Sequence, residues 1–198
     1  MNESRQEIAD PRIRRTRQLL QQALAKLMET KEFEKISVQD ITEAATLNRA
    51  TFYDHYGDKF ALLECMVAAR FQELLARRGV QFDGTCASAL RTLVLGVCDY
   101  LAGTPGLACE RQRQMEPHLE SAVIGVVRHM ILQGLKQHPP VHGVSPEMIA
   151  TTVTWAIYGA AKEWVRTPNR CRSEEIVETV VTLVAPIFSA APAIPKKP

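Results

Sequence analysis

The sequence predicts an all-α fold: an N-terminal three-helix, helix-turn-helix head followed by a larger helical-bundle body. Three observations predict it. Apolar residues recur at helical spacing along most of the chain, and no stretch alternates as a half-buried strand would. Helix openers and breakers punctuate those stretches, as at Asp10-Pro11, Gly103-Thr104-Pro105-Gly106, His138-Pro139-Pro140 and Thr167-Pro168-Asn169. Residues 37–59 compress two short helices and the capped start of another around a tight turn, the pattern of a helix-turn-helix.

The first helix opens at Asp10-Pro11, a side-chain cap followed by a residue that needs no amide partner. Thr16, Leu20, Ala23, Leu24, Leu27 and Met28 carry its apolar face to about Thr30, and Phe33 and Ile36 plug the connection that follows. Ser37 with Asp40 three residues on makes a capping-box-like start for the second helix, whose buried side is Val38, Ile41, Ala44 and Ala45. Thr46-Leu47-Asn48 is the turn, with Asn48 placed to cap the third helix. Phe52 and Tyr56 hold that helix to the core, Gly57 ends it, and Arg49, Ala50, Thr51, Tyr53, Asp54 and His55 face outward. Asp58 caps a long fourth helix, 58–78, with Leu63, Met66, Val67, Phe71, Leu74 and Leu75 on its apolar face.

Past a break at Gly79 to Gly84 the body predicts helices over 86–102, 107–115, 117–137, 145–166 and 173–189, then a disordered tail, 190–198. The organisation expected is a DNA-binding head, 1–60, linked by the fourth helix to a ligand-binding and dimerisation body, 61–189.

At 198 residues, with 46% hydrophobic and 23% charged residues, the composition is ordinary for a soluble globular protein. No apolar run is long enough to span a bilayer and the N-terminus lacks a secretion signal, so the expectation is a cytoplasmic protein with no membrane partner. Five cysteines without a C-x-x-C pair read as reduced thiols. The net charge of +2 is weak support for a nucleic-acid partner, but placement matters more: Arg12, Arg14, Arg15 and Arg17 cluster, and residues 11–28 hold no Asp or Glu.

Residues 12–65 resemble the tetracycline-repressor (TetR/AcrR-like) family of transcriptional regulators. An amphipathic first helix is followed by Ile-Ser-Val-Gln-Asp-Ile-Thr-Glu-Ala-Ala, 36–45, and by Arg-Ala-Thr-Phe-Tyr-Asp-His-Tyr-Gly-Asp-Lys, 49–59. Tyr53, His55, Tyr56, Gly57 and Lys59 fill the family's Tyr-x-His-aromatic, small residue and lysine positions. The chain departs from the pattern at Thr46, where the family commonly has glycine. The resemblance implies a homodimer that places two third helices in the major groove of double-stranded DNA, with a body that binds a small-molecule inducer.

Arg49, Ala50 and Thr51 begin the recognition helix, where arginine can pair with guanine and Ala or the Thr methyl can pack on thymine. The plainer reading of Arg49 is a phosphate contact. Tyr53 and His55 suit phosphate donation, or else packing within the head. Lys59 suits a phosphate at the start of the fourth helix, or else plain solvation. Arg14, Ser37, Gln39, Thr42 and Asn48 complete the candidate DNA contacts, with Ser37 also readable as only a cap.

In the body, Trp155, Tyr158, Gly159 and Lys162 on one helix and Ile176, Val180, Leu183, Val184 and Ile187 on the last suggest a dimeric four-helix interface; the alternative is the protomer's own core. A largely apolar cavity for the effector is expected among Leu93, Val97, Tyr100, Leu101 and Met115, together with His118, Val123, Val126, Met130 and Trp155, though such residues are more often plain core.

Catalysis finds no recognisable motif, and the spacing of Cys98, Cys109, His118 and His129 matches no compact zinc signature. No metal and no cofactor are called for. A redox- or metal-responsive regulator with the same head, triggered at Cys98 or at Cys109 beside Arg111 and Arg113, is the nearer rival. Control by a protein partner, or general DNA organisation without an inducer, is the third. The function expected is repression at a near-palindromic operator, relieved by a small, largely apolar inducer.

Overall fold

The computed structural model describes residues 10–80, 87–103, 115–138 and 144–188. Every regular element among them is helical: α1 (Pro11–Met28), α2 (Val38–Ala45), α3 (Arg49–Tyr53), α4 (Lys59–Arg77), α5 (Ala87–Gly103), α6 (Glu116–Gln137), α7 (Pro146–Arg166) and α8 (Ser173–Val184). Short 3-10 turns lie at Phe33–Lys35 and Ala185–Ile187. The expected segment 107–115, apart from Met115, residues 81–86, which include most of the expected break, and the tail 190–198 fall outside the described residues. The chain forms two compact units, Met1–Met66 and Val67–Pro198.

In the first unit, caps decide where helices start. The Asp10 carboxylate accepts from the Arg12 amide at 2.9 Å, ahead of Pro11. Ser37 and Asp40 make the reciprocal capping box that their spacing predicts: the Ser37 amide donates to Asp40 at 2.8 Å and the Asp40 amide to the Ser37 hydroxyl at 3.1 Å. Asn48 accepts from the Thr51 amide at 2.7 Å, and Asp58 from the Ala61 amide at 2.8 Å. The core between these helices is Leu20, Leu24, Phe33, Ile36, Ile41, Phe52 and Leu62, each at most 3% exposed.

Three details differ from the sequence expectation. Thr42, not Ala44, occupies the buried side of α2, because its methyl fits the interior while its hydroxyl donates to the Gln39 carbonyl at 3.0 Å. α3 is only five residues long, ending at Tyr53. Tyr56 still packs where expected, its amide bonded to the Phe52 carbonyl at 2.9 Å and its ring 5.9 Å from that of Phe52. α8 stops at Val184, because Pro186 has no amide to continue the ladder and a 3-10 turn takes over.

In the second unit α7 is the central helix, packed against α5, α6 and α8. It buries Ile149, Ala150, Val153, Thr154, Ile157, Tyr158, Ala161 and Trp164. α6 runs beside it with Glu116 and Glu120 on Lys162, at 3.0 and 2.7 Å, and Arg166 on Glu116 at 2.6 Å. Gly96 lets α5 approach Leu75, whose Cδ2 would stand 2.5 Å from any added Cβ.

Candidate nucleic-acid interface

The turn before α3 is a tight one. Thr46 sits in the left-handed region at φ 56° and ψ 44°, with its amide on the Glu43 carbonyl and the Leu47 amide on the Thr42 carbonyl. The backbone therefore keeps the geometry glycine would give, at a steric cost of about 1–2 kcal/mol for a side chain there. Thr46 changes the energy of the turn and leaves its shape.

Two anchors orient α3. Phe52 is fully buried, and the Asn48 side chain holds the first turn through the Thr51 amide and hydroxyl, at 2.7 and 2.9 Å. Arg49, Ala50 and Tyr53 are consequently exposed, with Tyr53 50% accessible. The guanidinium of Arg49 reaches the Tyr53 hydroxyl at 3.5 Å, one turn along. Thr51 is half-buried and its hydroxyl is engaged by the cap, so what it offers outward is its methyl. His55 is half-buried rather than fully outward, with its ring 6.5 Å from that of Tyr56. This arrangement can present a cation, a phenol and apolar methyls to one partner surface.

Not every predicted contact joins that face. Lys59 does not reach outward: its ammonium donates to the carbonyls of Phe33, Glu34 and Ile36 at 3.0, 3.0 and 2.8 Å, which uses all three N–H donors. It serves as an internal clasp. Thr42 is 3% exposed and turned to the core, so it too leaves the set. Ser37 is exposed, but both its hydroxyl and its amide are committed to Asp40, which is the cap reading. Gln39 is exposed and donates to the Glu43 carboxylate at 2.8 Å. Arg14 is exposed on α1, in a shallow hollow of about 220 Å³ lined also by Ile13, Arg17, Gln18 and Gln21. Positions 14, 18 and 21 share one helical face.

In the body, the proposed interface residues divide. Trp155 (51% exposed), Leu183 (70%) and Gly159 face outward, and Ile176 and Ile187 are half-buried. Tyr158, Val180 and Val184 are at most 3% exposed and belong to the protomer's own core, since the face of α7 and α8 they share meets neighbouring helices. Lys162 is half-buried between two carboxylates. Of the proposed pocket, Leu93, Val97, Leu101, Met115, Val123 and Val126 are buried, Tyr100, His118 and Met130 half-buried. Trp155 cannot line an interior cavity while it is half exposed.

Cys98 is wholly buried, and burial, followed by the Asp99 charge, pushes its thiol up to about 12. That removes it as a thiolate trigger near neutral pH. Cys109, Arg111 and Arg113 lie outside the described residues. Among the described residues no three His, Cys, Asp or Glu side chains gather as a metal site would need, and no helix is long and apolar enough to cross a membrane.

Comparison with known proteins bears on the same segment. The family described as "Bacterial regulatory proteins, tetR family" matches residues 20–66. An HTH-type transcriptional regulator of Bacillus subtilis (strain 168), YxbF, is 42% identical over 67 residues, 33% of this chain and 18% of that relative. The match thus spans less than a fifth of the relative's own length. The solved structure of RolR in complex with resorcinol superposes with a TM-score of 0.53 at 14% identity, covering 92% of this chain and 98% of that one. A TetR transcriptional regulator from Streptococcus agalactiae 2603V gives a TM-score of 0.45 at 21% identity over 87% of this chain and 95% of its own. At such identities the RolR likeness concerns the fold.

Proposed function

We propose that this chain, whose helix-turn-helix head matches the tetR family of bacterial regulatory proteins over residues 20–66, represses transcription as a homodimer bound to a near-palindromic operator. The observation that carries this reading is the outward face of Arg49, Ala50 and Tyr53 on a helix held rigid by Phe52 and Asn48. Arg49 reads a base edge, Tyr53 and His55 donate to phosphates, and Arg14 and Gln39 add backbone contacts. Two such heads about one helical turn apart meet successive major grooves. A DNA-reading protein works where the DNA is, which for a bacterial regulator is the cytoplasm.

Dimerisation is supported by the outward apolar surface of α7 and α8, where Trp155 and Leu183 stand exposed beside Gly159, Ile176 and Ile187. The effector is a small, largely apolar molecule held among the buried residues of α5 and α6, Leu93, Val97, Val123 and Val126 foremost. RolR, with the same fold, is solved with the small phenolic ligand resorcinol, which favours this kind of effector. Release requires only that the effector prefer one of two states; a coupling of about 1–3 kcal/mol makes a usable switch. α4 runs through the division between the units, with Lys59–Met66 in one and Val67–Arg77 in the other, and is the covalent route for that coupling.

The deciding experiment is a footprint on the DNA flanking the chain's own gene, at physiological salt, with an inverted repeat as the protected site. Tyr53→Phe should weaken binding to all sequences alike, and Arg49→Ala should relax preference at one or two base pairs, about 1–3 kcal/mol of discrimination. Wild-type affinity and specificity in both variants would remove the assignment of α3. A monomer by light scattering at micromolar concentration would remove the dimer.

A further inference from the structure

We propose that the hydroxyls of Thr154 and Tyr158, one turn apart on α7, are the polar anchor of the effector site, and that the effector is a neutral, mostly apolar molecule carrying a hydroxyl group. The proposal rests on the effector reading above and adds two residues and a chemical class to it.

Both side chains lie in the packed interior of the body, Thr154 fully buried and Tyr158 2% exposed. Among the described residues, their two oxygens are buried and make no hydrogen bond. A hydroxyl taken from water without a partner loses its hydration and gains nothing in return. A helical threonine can spend its hydroxyl on the carbonyl four residues back, and on this same helix Thr151 does so with Glu147 at 2.8 Å. Thr154 does not. Valine and phenylalanine have nearly the same shapes without that penalty, so packing alone accounts for neither hydroxyl.

The register of α6 and α7 sets the level of the pair. Arg128 donates to Thr151 at 3.1 Å, Lys162 to Glu120 at 2.7 Å and Arg166 to Glu116 at 2.6 Å, so the two helices run antiparallel. Thr154 and Tyr158 therefore fall level with the stretch between Glu120 and Arg128. That stretch carries Val123 and Val126, two of the buried residues assigned to the effector. α5, which bears the other two, Leu93 and Val97, packs on the same helix.

The neighbouring ions select a neutral occupant. Burial, then the charges of Glu120 and Glu116, raise the Tyr158 phenol above its ordinary value, so it stays protonated and can donate. The Glu120 carboxylate is near enough to contribute, yet the two form no bond of ordinary geometry, and Glu120 already holds Lys162. Glu116 and Glu120 are balanced by Lys162 and Arg166. An ionised ligand would lose its water and meet no uncompensated counter-charge. A hydroxyl both accepts and donates, the two capacities that Tyr158 and Thr154 leave unused.

The test uses the full chain, titrated by calorimetry with phenol and with toluene, which differ by one hydroxyl against one methyl. Wild type should bind phenol about three- to ten-fold more tightly than toluene. Thr154→Val and Tyr158→Phe should each reduce that preference and leave toluene binding unchanged, while Thr154→Ser, which keeps the hydroxyl, should retain it. Benzoate, similar in size but ionised, should bind more weakly than phenol. Without any probe, Thr154→Val should melt about 2–4 °C above wild type, because it removes an unpaired buried hydroxyl, and Tyr158→Phe should melt no lower. A lower melting temperature in either unliganded variant overturns the proposal, since that hydroxyl then has a partner within the fold. So does a phenol preference that survives both substitutions. If toluene binds saturably and phenol no better, the polar anchor falls and the apolar site stands. Should neither probe bind saturably, the reading of a small apolar effector falls with it.

Discussion

The ammonium of Lys59 lies 4.7 Å from the centroid of the Phe33 ring and donates to the carbonyl of that same residue at 3.0 Å. One side chain from the start of α4 thereby ties down the whole 33–36 turn, through Glu34 and Ile36 as well. A lysine that looks in sequence like a phosphate ligand is, in three dimensions, a structural clasp. The Phe33 carbonyl also accepts from the Ile36 amide at 3.1 Å, so the ammonium adds a second, charge-assisted donor there and reaches the carbonyls of Glu34 and Ile36 at the end of the turn.

Lys59→Met should keep the aliphatic packing but lose three charge-assisted hydrogen bonds. The expected cost is about 2–3 kcal/mol, read as a lower urea midpoint for the head. At temperatures where the variant stays folded, the salt dependence of DNA binding should match wild type. A flatter salt slope with unchanged stability would return Lys59 to the DNA face.

Thr46 gives the opposite expectation. Its φ of 56° is uncomfortable for a β-branched side chain, and the residue is exposed with nothing in the core to hold it. Thr46→Gly should stabilise the head by about 1 kcal/mol, with the strain relieved outweighing the extra freedom of glycine in the unfolded chain. An equal or lower melting temperature would show that the turn is not strained as the backbone indicates.

Asp40 makes the head sensitive to acid. The Ser37 amide first, then the Ser37 hydroxyl and Lys31, hold its carboxyl well below the ordinary carboxylate range. Because the folded value is the lower one, its contribution is complete above the unfolded value of about 3.9 and disappears as pH falls from there through the folded value. Asp40→Asn should therefore be less stable than wild type at pH 7 and lose less stability between pH 5 and about 2. Parallel acid limbs for the two proteins would contradict the capping-box account.

Cys98 should resist alkylation in the native protein while exposed Cys171 reacts, because burial both shields the thiol and disfavours the thiolate. Mass spectrometry after iodoacetamide treatment at pH 7.5 should find Cys98 modified only in denaturant. Native modification of Cys98 at a rate comparable to Cys171 would reopen the redox-trigger reading.

Local chemistry was written plainly in the chain. Asp10-Pro11, Ser37 with Asp40, Asn48 and Asp58 each cap a helix through atoms a few residues away, so spacing alone determined where α1, α2, α3 and α4 begin. Periodicity likewise determined that Phe52 turns inward, which leaves Arg49 and Tyr53 no direction but outward. Tertiary structure decided what depends on partners distant along the chain. Lys59 meets carbonyls 23 to 26 residues earlier, and no spacing rule on α4 announces them. Tyr158, Val180 and Val184 carry the same apolar signature as Trp155 and Leu183, and only the packing of α7 and α8 against their neighbours separates core from open surface. Apolar character shows that a residue leaves water; which surface covers it is a property of the assembled helices.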